Sequence, residues 1–165
     1  MMKSVLIVLF AACLGLPAFG REPAGFSGTW RLDEGESDYR DLQEPEARTD
    51  TIIDRGERIT DVIVAMARGR VQHLTLELPT DGRVVTLPER TVLGTSTLRT
   101  VAARREGPML VVTHGVRTGD TARVVVTRWA LSADRARLVM TVASDDGRHV
   151  IGMLVFDRVE PVAKK

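Results

Sequence analysis

The chain lacks several features that would each have pointed to a function. It has one cysteine, Cys13, in 165 residues, so no disulfide framework and no thiolate metal cluster can be built within it. Aromatic residues make up 4% of it, too few for stacking platforms for single-stranded nucleic acid or for ring-lined sugar grooves. Charge of one sign is also missing. The formal net charge is +1, and removing residues 1–20 takes away Lys3 and no acid, which leaves the remainder neutral. Nothing electrostatic therefore draws it to nucleic acid or an anionic membrane. Lysine occurs only at Lys3, Lys164 and Lys165, and the dominance of arginine suggests a high-GC bacterial genome.

Signatures of chemistry are equally scarce. There is no Gly-x-Ser-x-Gly, and Gly94-Thr95-Ser96-Thr97 has no local base to activate a hydroxyl. With no sustained helical period, a phosphate-binding loop has no helix N-terminus to use. The histidines, His73, His114 and His149, stand on separate segments without His-x-His or His-x-x-x-His spacing. They are expected at the surface or at turn edges rather than as metal ligands. The acidic stretch from Asp33 to Glu46 lacks the Asp-x-Asp-x-Asp-Gly order of a calcium loop and is expected to be a long solvated loop, with one helical turn near Asp41. No metal, no cofactor and no catalytic residue is expected.

What the chain does have begins with an export signal. Lys3 precedes an apolar run, Val5 to Phe10 with Ala11 and Ala12, which continues through Leu14-Gly15-Leu16-Pro17 to the small-x-small pattern Ala18-Phe19-Gly20. This predicts a signal peptide over 1–20, a single domain over 21–165 and a periplasmic or secreted location. Phe10-Ala11-Ala12-Cys13 resembles a lipoprotein processing box. Lipidation of Cys13 would be the one route to a membrane.

After Gly25 one theme repeats: a β-rich run, then a turn signal. The runs are Phe26 to Leu32, Thr49 to Ile53, Ile59 to Met66, Val71 to Leu78, Val84 to Leu87, Thr95 to Arg104, Met109 to Val116, Ala122 to Leu131, Arg137 to Ala143 and His149 to Val159. Turns fall at Asp54-Arg55-Gly56-Glu57, Arg68-Gly69, Pro79 to Gly82, Pro88-Glu89, Glu106-Gly107-Pro108, Thr118-Gly119-Asp120, Ala133-Asp134-Arg135 and Asp145-Asp146-Gly147. Val, Ile, Thr and Leu suit a pleated, half-buried surface, while Gly and Asp suit hairpin turns. Short links force antiparallel neighbours. A meander of about ten strands hides its edges best by closing, so the expected fold is all-β, an up-and-down barrel, with a two-sheet sandwich as the rival.

Alternation sets the buried face. Leu74, Leu76 and Leu78 oppose His73, Thr75 and Glu77; Leu138, Met140 and Val142 oppose Arg137, Val139 and Thr141; Val125, Trp129 and Leu131 share a face. The last run is apolar on both faces, which predicts a central position or a cover formed by the leader or the acidic loop. By strand phase, the residues expected to line the interior and touch a ligand are Ile63, Leu76, Leu98, Val111, Val125, Met140 and Met153, a choice that a bulge would invert.

The most specific stretch is Phe26-Ser27-Gly28-Thr29-Trp30-Arg31-Leu32. A glycine two residues before a tryptophan on the first strand of a meander resembles the opening of the lipocalin and fatty-acid-binding (calycin) superfamily. That resemblance implies that Trp30 plugs the closed end of the barrel and that Arg158, near the end of the last strand, lies across its ring. The longer pattern, Gly28 to Asp33 with Ser37-Asp38 and later Arg128-Trp129-Ala130-Leu131-Ser132, is similar to a group of secreted, lipocalin-like bacterial proteins. Gly28, Trp30 and Arg158 are thus structural residues, and both tryptophans are expected to pack in the core.

Three functions stay open on the sequence. The first is a monomeric, non-enzymatic barrel holding a small hydrophobic or amphipathic ligand. The second is a filled barrel acting as an envelope interaction or structural module. The third is an enzyme with its site hidden inside the barrel, which would require polar groups converging there.

Overall fold

A computed structural model describes residues 25–92 and 95–160, without the side chains of 89–92 and 95–96. The expected signal peptide and Cys13 lie outside the described residues. Ten strands follow one another: β1 (Gly28–Asp38), β2 (Ala47–Asp54), β3 (Arg58–Ala67), β4 (Arg70–Pro79), β5 (Val85–Val92), β6 (Thr95–Glu106), β7 (Met109–Thr118), β8 (Thr121–Leu131), β9 (Arg137–Ser144) and β10 (Val150–Arg158). All pair antiparallel in one sheet ordered β4-β3-β2-β1-β10-β9-β8-β7-β6-β5. The expected meander is present, and β1 against β10 brings its two ends together.

Closure is incomplete at one seam. β4 and β5 are neighbours in the chain, yet they are the two ends of the sheet. They are bound only indirectly. An isolated bridge joins Asp81 to Arg104, and the Gly82 N–H donates to the Ala103 carbonyl at 2.8 Å. The expected turn at Pro88-Glu89 is instead part of β5, where the register with β6 shifts between Leu87 and Arg90. A proline without an N–H is tolerated because this strand is an edge, and an edge proline discourages further pairing.

The acidic segment is also corrected. β1 runs on to Asp38 and β2 begins at Ala47, so the loop spans only 39–46, with one tight turn in which the Leu42 N–H donates to the Tyr39 carbonyl. The acids here stay in strand because β1 bulges against β10 between Asp33 and Asp38. Inside the bulge the Asp33 carboxylate accepts the Gly35 and Glu36 amides at 3.0 and 3.2 Å, and Ser37 Oγ accepts the Val155 amide at 3.0 Å. The side chains thus replace the missing ladder bonds.

At the closed end, Phe26 lies just before β1 rather than within a strand. It is fully buried with its ring edge-on to Trp129, centroids 6.0 Å apart. Trp30 is also fully buried, and its indole N–H donates to the Phe26 carbonyl at 2.9 Å. The Arg158 guanidinium lies 4.2 Å from the Trp30 ring centroid, as the resemblance implied. It also donates to the Arg135 and Ser27 carbonyls at 2.9 and 3.0 Å. Gly28, at φ 151°, is needed here: a Cβ would stand 2.6 Å from Arg158 Nη1. Ile52, Ile59, Leu78, Val101, Leu110, Leu138 and Phe156 fill the space around this plug. Trp30→Ala should destabilise the protein by roughly 3–5 kcal/mol, the usual range for truncating a large core ring. Urea denaturation measures it, and a midpoint equal to the parent's would show that the indole does not seal the barrel.

Candidate functional site

Above the apolar plug the interior changes character. On β2 the inward positions run Arg48, Asp50, Ile52, and on β3 they run Ile59, Asp61, Ile63, so strand phase alone carries charged groups into the barrel. β6 adds Arg99, β7 adds His114, and β8 adds Thr127 and Trp129. Of these, Arg48, Asp61, Arg99, His114, Thr127 and Trp129 line a cavity of about 180 Å³, whose remaining wall is Ile63, Leu74, Leu76, Met140, Val142 and Leu154. At about 30 Å³ per water, the space suits several waters or one small organic molecule.

The polar groups are unequally satisfied. Asp50 has no exposed surface, and both its oxygens lie in the fork of Arg48, which donates from Nε at 2.8 Å and from Nη2 at 2.7 Å. Burial raises the Asp50 carboxyl against the pull of Arg48. Burial also works against the Arg48 charge, yet Asp50 outweighs it and holds the guanidinium above its ordinary value. A bidentate contact to a group that does not release its proton favours the ionised pair. The Arg48 guanidinium also lies over the Phe156 ring at 5.3 Å.

Asp61 is the exception. It sits one strand away, opposite Leu76, with no exposed surface and, among the described residues, no hydrogen-bond partner for either carboxyl oxygen. Burial pushes its pKa up to about 8, with Asp50 adding to the rise and Arg48 opposing it. Arg48 is committed to Asp50, so Asp61 holds its proton near neutrality rather than leave an unpaired charge inside. His114 moves the other way. Burial lowers it to about 4, helped by the positive charges of Arg99 and Arg48, and its imidazole is neutral. The Trp129 indole N–H, in the same wall, is buried without a partner among the described residues.

The mouth lies at the end carrying the β1–β2, β3–β4, β7–β8 and β9–β10 links. Leu42, from the loop at 39–46, packs against the core over Gly152, occupying the space that any side chain at 152 would need. The Asp41 amide donates to the Ile151 carbonyl at 3.1 Å. The acidic loop therefore covers part of β10 with an apolar residue.

Of the seven residues expected to line the interior, Ile63, Leu76 and Met140 lie in the cavity wall. Val125 shares their face opposite His114 and is half-buried towards the mouth. Leu98, Val111 and Met153 point outward, and each has a physical reason. On β6 the inward phase is Arg99, Val101 and Ala103, which leaves Leu98 at 42% exposure. On β7 both phases are apolar, and Leu110, Val112 and His114 face in while Val111 is buried on the outer surface beside Gly82 and Arg104. On β10, Leu154 and Phe156 face in and Met153 is opposite Thr141 on the outer face. His114 is likewise a correction: it lines the interior rather than the surface, whereas His73 is exposed and exposed His149 contacts Asp41 at 3.2 Å. The signal for the polar set was an acid flanked by inward isoleucines, Ile59-x-Asp61-x-Ile63, since a surface acid has no reason to stand in the buried phase.

No protein-family model matches the chain, and no curated protein matches it in sequence. In shape it is similar to secretory abundant heat soluble proteins from Ramazzottius varieornatus. One structure of such a protein, from a dimer sample, aligns at a TM-score of 0.55 and 12% identity, covering 81% of this chain and 94% of that one. Secretory abundant heat soluble protein 4 aligns at 0.55 and 10% identity, covering 82% and 96%. At such identities the likeness is one of fold, the lipocalin-like barrel.

The two displaced pKa values oppose each other in a stability profile. A raised carboxyl costs nothing while it is protonated in both states, then destabilises progressively as pH climbs from about 4, where the unfolded chain ionises, to about 8. A lowered histidine stabilises above about 6.5, and that contribution is lost as pH falls towards about 4. Asp61→Asn removes only the first effect. It should melt several degrees above the parent at pH 8, with the two melting curves converging by pH 4. A variant that melts lower than the parent at pH 8 would mean Asp61 is paired and ionised.

Proposed function

We propose that this chain is an exported, non-enzymatic barrel that binds a small amphipathic molecule in the cavity above its aromatic plug. The observation that carries the reading is the lining itself: an apolar wall with a few converging polar groups, one of them a fully buried carboxyl without a partner among the described residues. A protein that only needed stability would fill this space with hydrocarbon, because an unsatisfied buried polar group costs roughly 1–3 kcal/mol. A ligand that meets those groups offsets that cost, and its apolar part gains about 25 cal/mol for each Å² removed from water. The leader pattern at 1–20 supports export, and the closed lower half of the barrel holds the cavity walls in place.

Native mass spectrometry of gently purified protein should show a small adduct, lost in Leu74→Trp, which puts an indole into the cavity while keeping an apolar wall. Repeated adduct-free spectra of the parent, or an adduct unchanged by Leu74→Trp in a folded variant, would refute binding at this place. For export, the mature chain from bacterial periplasm or medium should begin at Arg21. A secreted form retaining 1–20 would overturn the leader assignment.

A further inference from the structure

The cavity contains donors in excess. Arg48 spends part of its fork on Asp50, but Arg99, the Thr127 hydroxyl, the His114 ring and the unpartnered Trp129 indole N–H all reach the same lining. Acceptors are fewer: the Asp50 oxygens are taken, which leaves the Thr127 hydroxyl oxygen, one ring nitrogen of neutral His114 and the carboxyl of Asp61. We propose that Asp61 determines the cavity's specificity, its acid form giving a hydrogen bond directly to an oxygen acceptor on the polar end of the ligand, so that the site takes a small carboxylate-bearing or carbonyl-bearing molecule and refuses an amine. This rests on the binding function proposed above and adds to it the identity of the recognising group and the polarity of what it recognises.

Geometry comes first. Asp61 has no exposed surface, lies in the cavity wall, and has both oxygens free of any partner among the described residues. A ligand carrying an acceptor oxygen can serve such a group. The charged and titratable groups facing it are few. From β2 come Arg48 and its partner Asp50, which act on Asp61 in opposite senses. From β6 comes Arg99 and from β7 His114, while β4 presents Leu74 and Leu76, and β8 presents Thr127 and Trp129, none of which titrates. The positive sign of the interior is visible in His114, which the Arg99 and Arg48 charges help to hold neutral. An ammonium entering here would meet that field, whereas an acceptor oxygen would find donors on several sides.

The recognition is consequently linked to one proton. Burial keeps Asp61 protonated until pH rises to about 8. Above that the donor is lost and a negative charge replaces it, so an anionic ligand is repelled. Affinity for a carboxylate should then fall by up to about tenfold per pH unit, since binding requires one proton that the free protein no longer holds.

The test uses three six-carbon probes, hexanoate, hexan-1-ol and hexylamine, titrated calorimetrically into the full protein between pH 6 and 9.5, a range in which the hexanoate carboxyl is ionised throughout. At pH 6.5 hexanoate should bind at least tenfold more tightly than hexylamine and more tightly than hexan-1-ol, and it should weaken above pH 8. Asp61→Asn keeps an N–H donor and cannot ionise, so it should bind hexanoate with no fall above pH 8. Asp61→Leu removes the orphaned polar group, so it should melt higher than the parent yet lose the preference for hexanoate over hexan-1-ol. Its raised melting temperature shows that lost binding is not lost folding. A pH-independent hexanoate affinity in the parent, a preference for hexylamine, or undiminished preference in Asp61→Leu overturns the inference. Should hexan-1-ol bind in the cavity while any of those holds, the binding function survives and only the role of Asp61 falls. Failure of all three probes to bind sinks both.

Discussion

The pairing of the first strand with the last is the constraint on which everything else depends. Trp30 stands opposite Arg158 in that ladder, so the contact that closes the sheet also lays the guanidinium across the indole. The plug is therefore not an ornament on a finished barrel. It fixes which face of β1 and β10 turns inward, and through the unbroken hydrogen-bonded sequence of neighbours it sets the phase of the other strands. The bulge at Asp33 is the one place where β1 departs from this register, and Ser37 restores the bond to Val155 there.

Once the phase is set, Arg48, Asp50 and Asp61 have no choice but to face in. The lower half of the barrel accepts this because it is packed with large apolar groups and needs no polar help. The upper half is where the fold gives up stability. Asp50 regains much of its desolvation cost from a bidentate guanidinium. Asp61 has no hydrogen-bond partner among the described residues and avoids the worst of the penalty by staying neutral. Unequal satisfaction of two acids on adjacent strands separates a structural pair from a group left available.

Much of this fold was readable in advance. The strand count, the antiparallel order and the plug were legible because alternation, turn residues and Gly28-x-Trp30 are local signals. The seam was not, because Pro88 looks the same in a turn and in an edge strand, and only long-range pairing tells them apart. The interior was partly legible. Ile63, Leu76 and Met140 followed from clean alternation. Leu98 and Val111 did not, since one stands in a strand whose inward phase holds an arginine and the other in a run apolar on both faces. His114 and Asp61 escape a reading of the sequence for one reason: polarity ordinarily means exposure, and a partly polar interior cavity is the place where that rule fails.

The seam between β4 and β5 also bears on connectivity. Among the described strands, sequence order and sheet order disagree only there, since the link at 80–84 joins the two outermost strands while the start of β1 and the end of β10 run side by side, the Val159 amide donating to the Thr29 carbonyl at 2.8 Å. Read from β5 round to β4, the same barrel is a plain ten-strand succession in which every chain neighbour is a sheet neighbour. A circular permutant opened at 80–84, with the end of β10 joined to the start of β1 through a short linker, would keep every ladder and both halves of the interior, and would give up only the tether at 81–82.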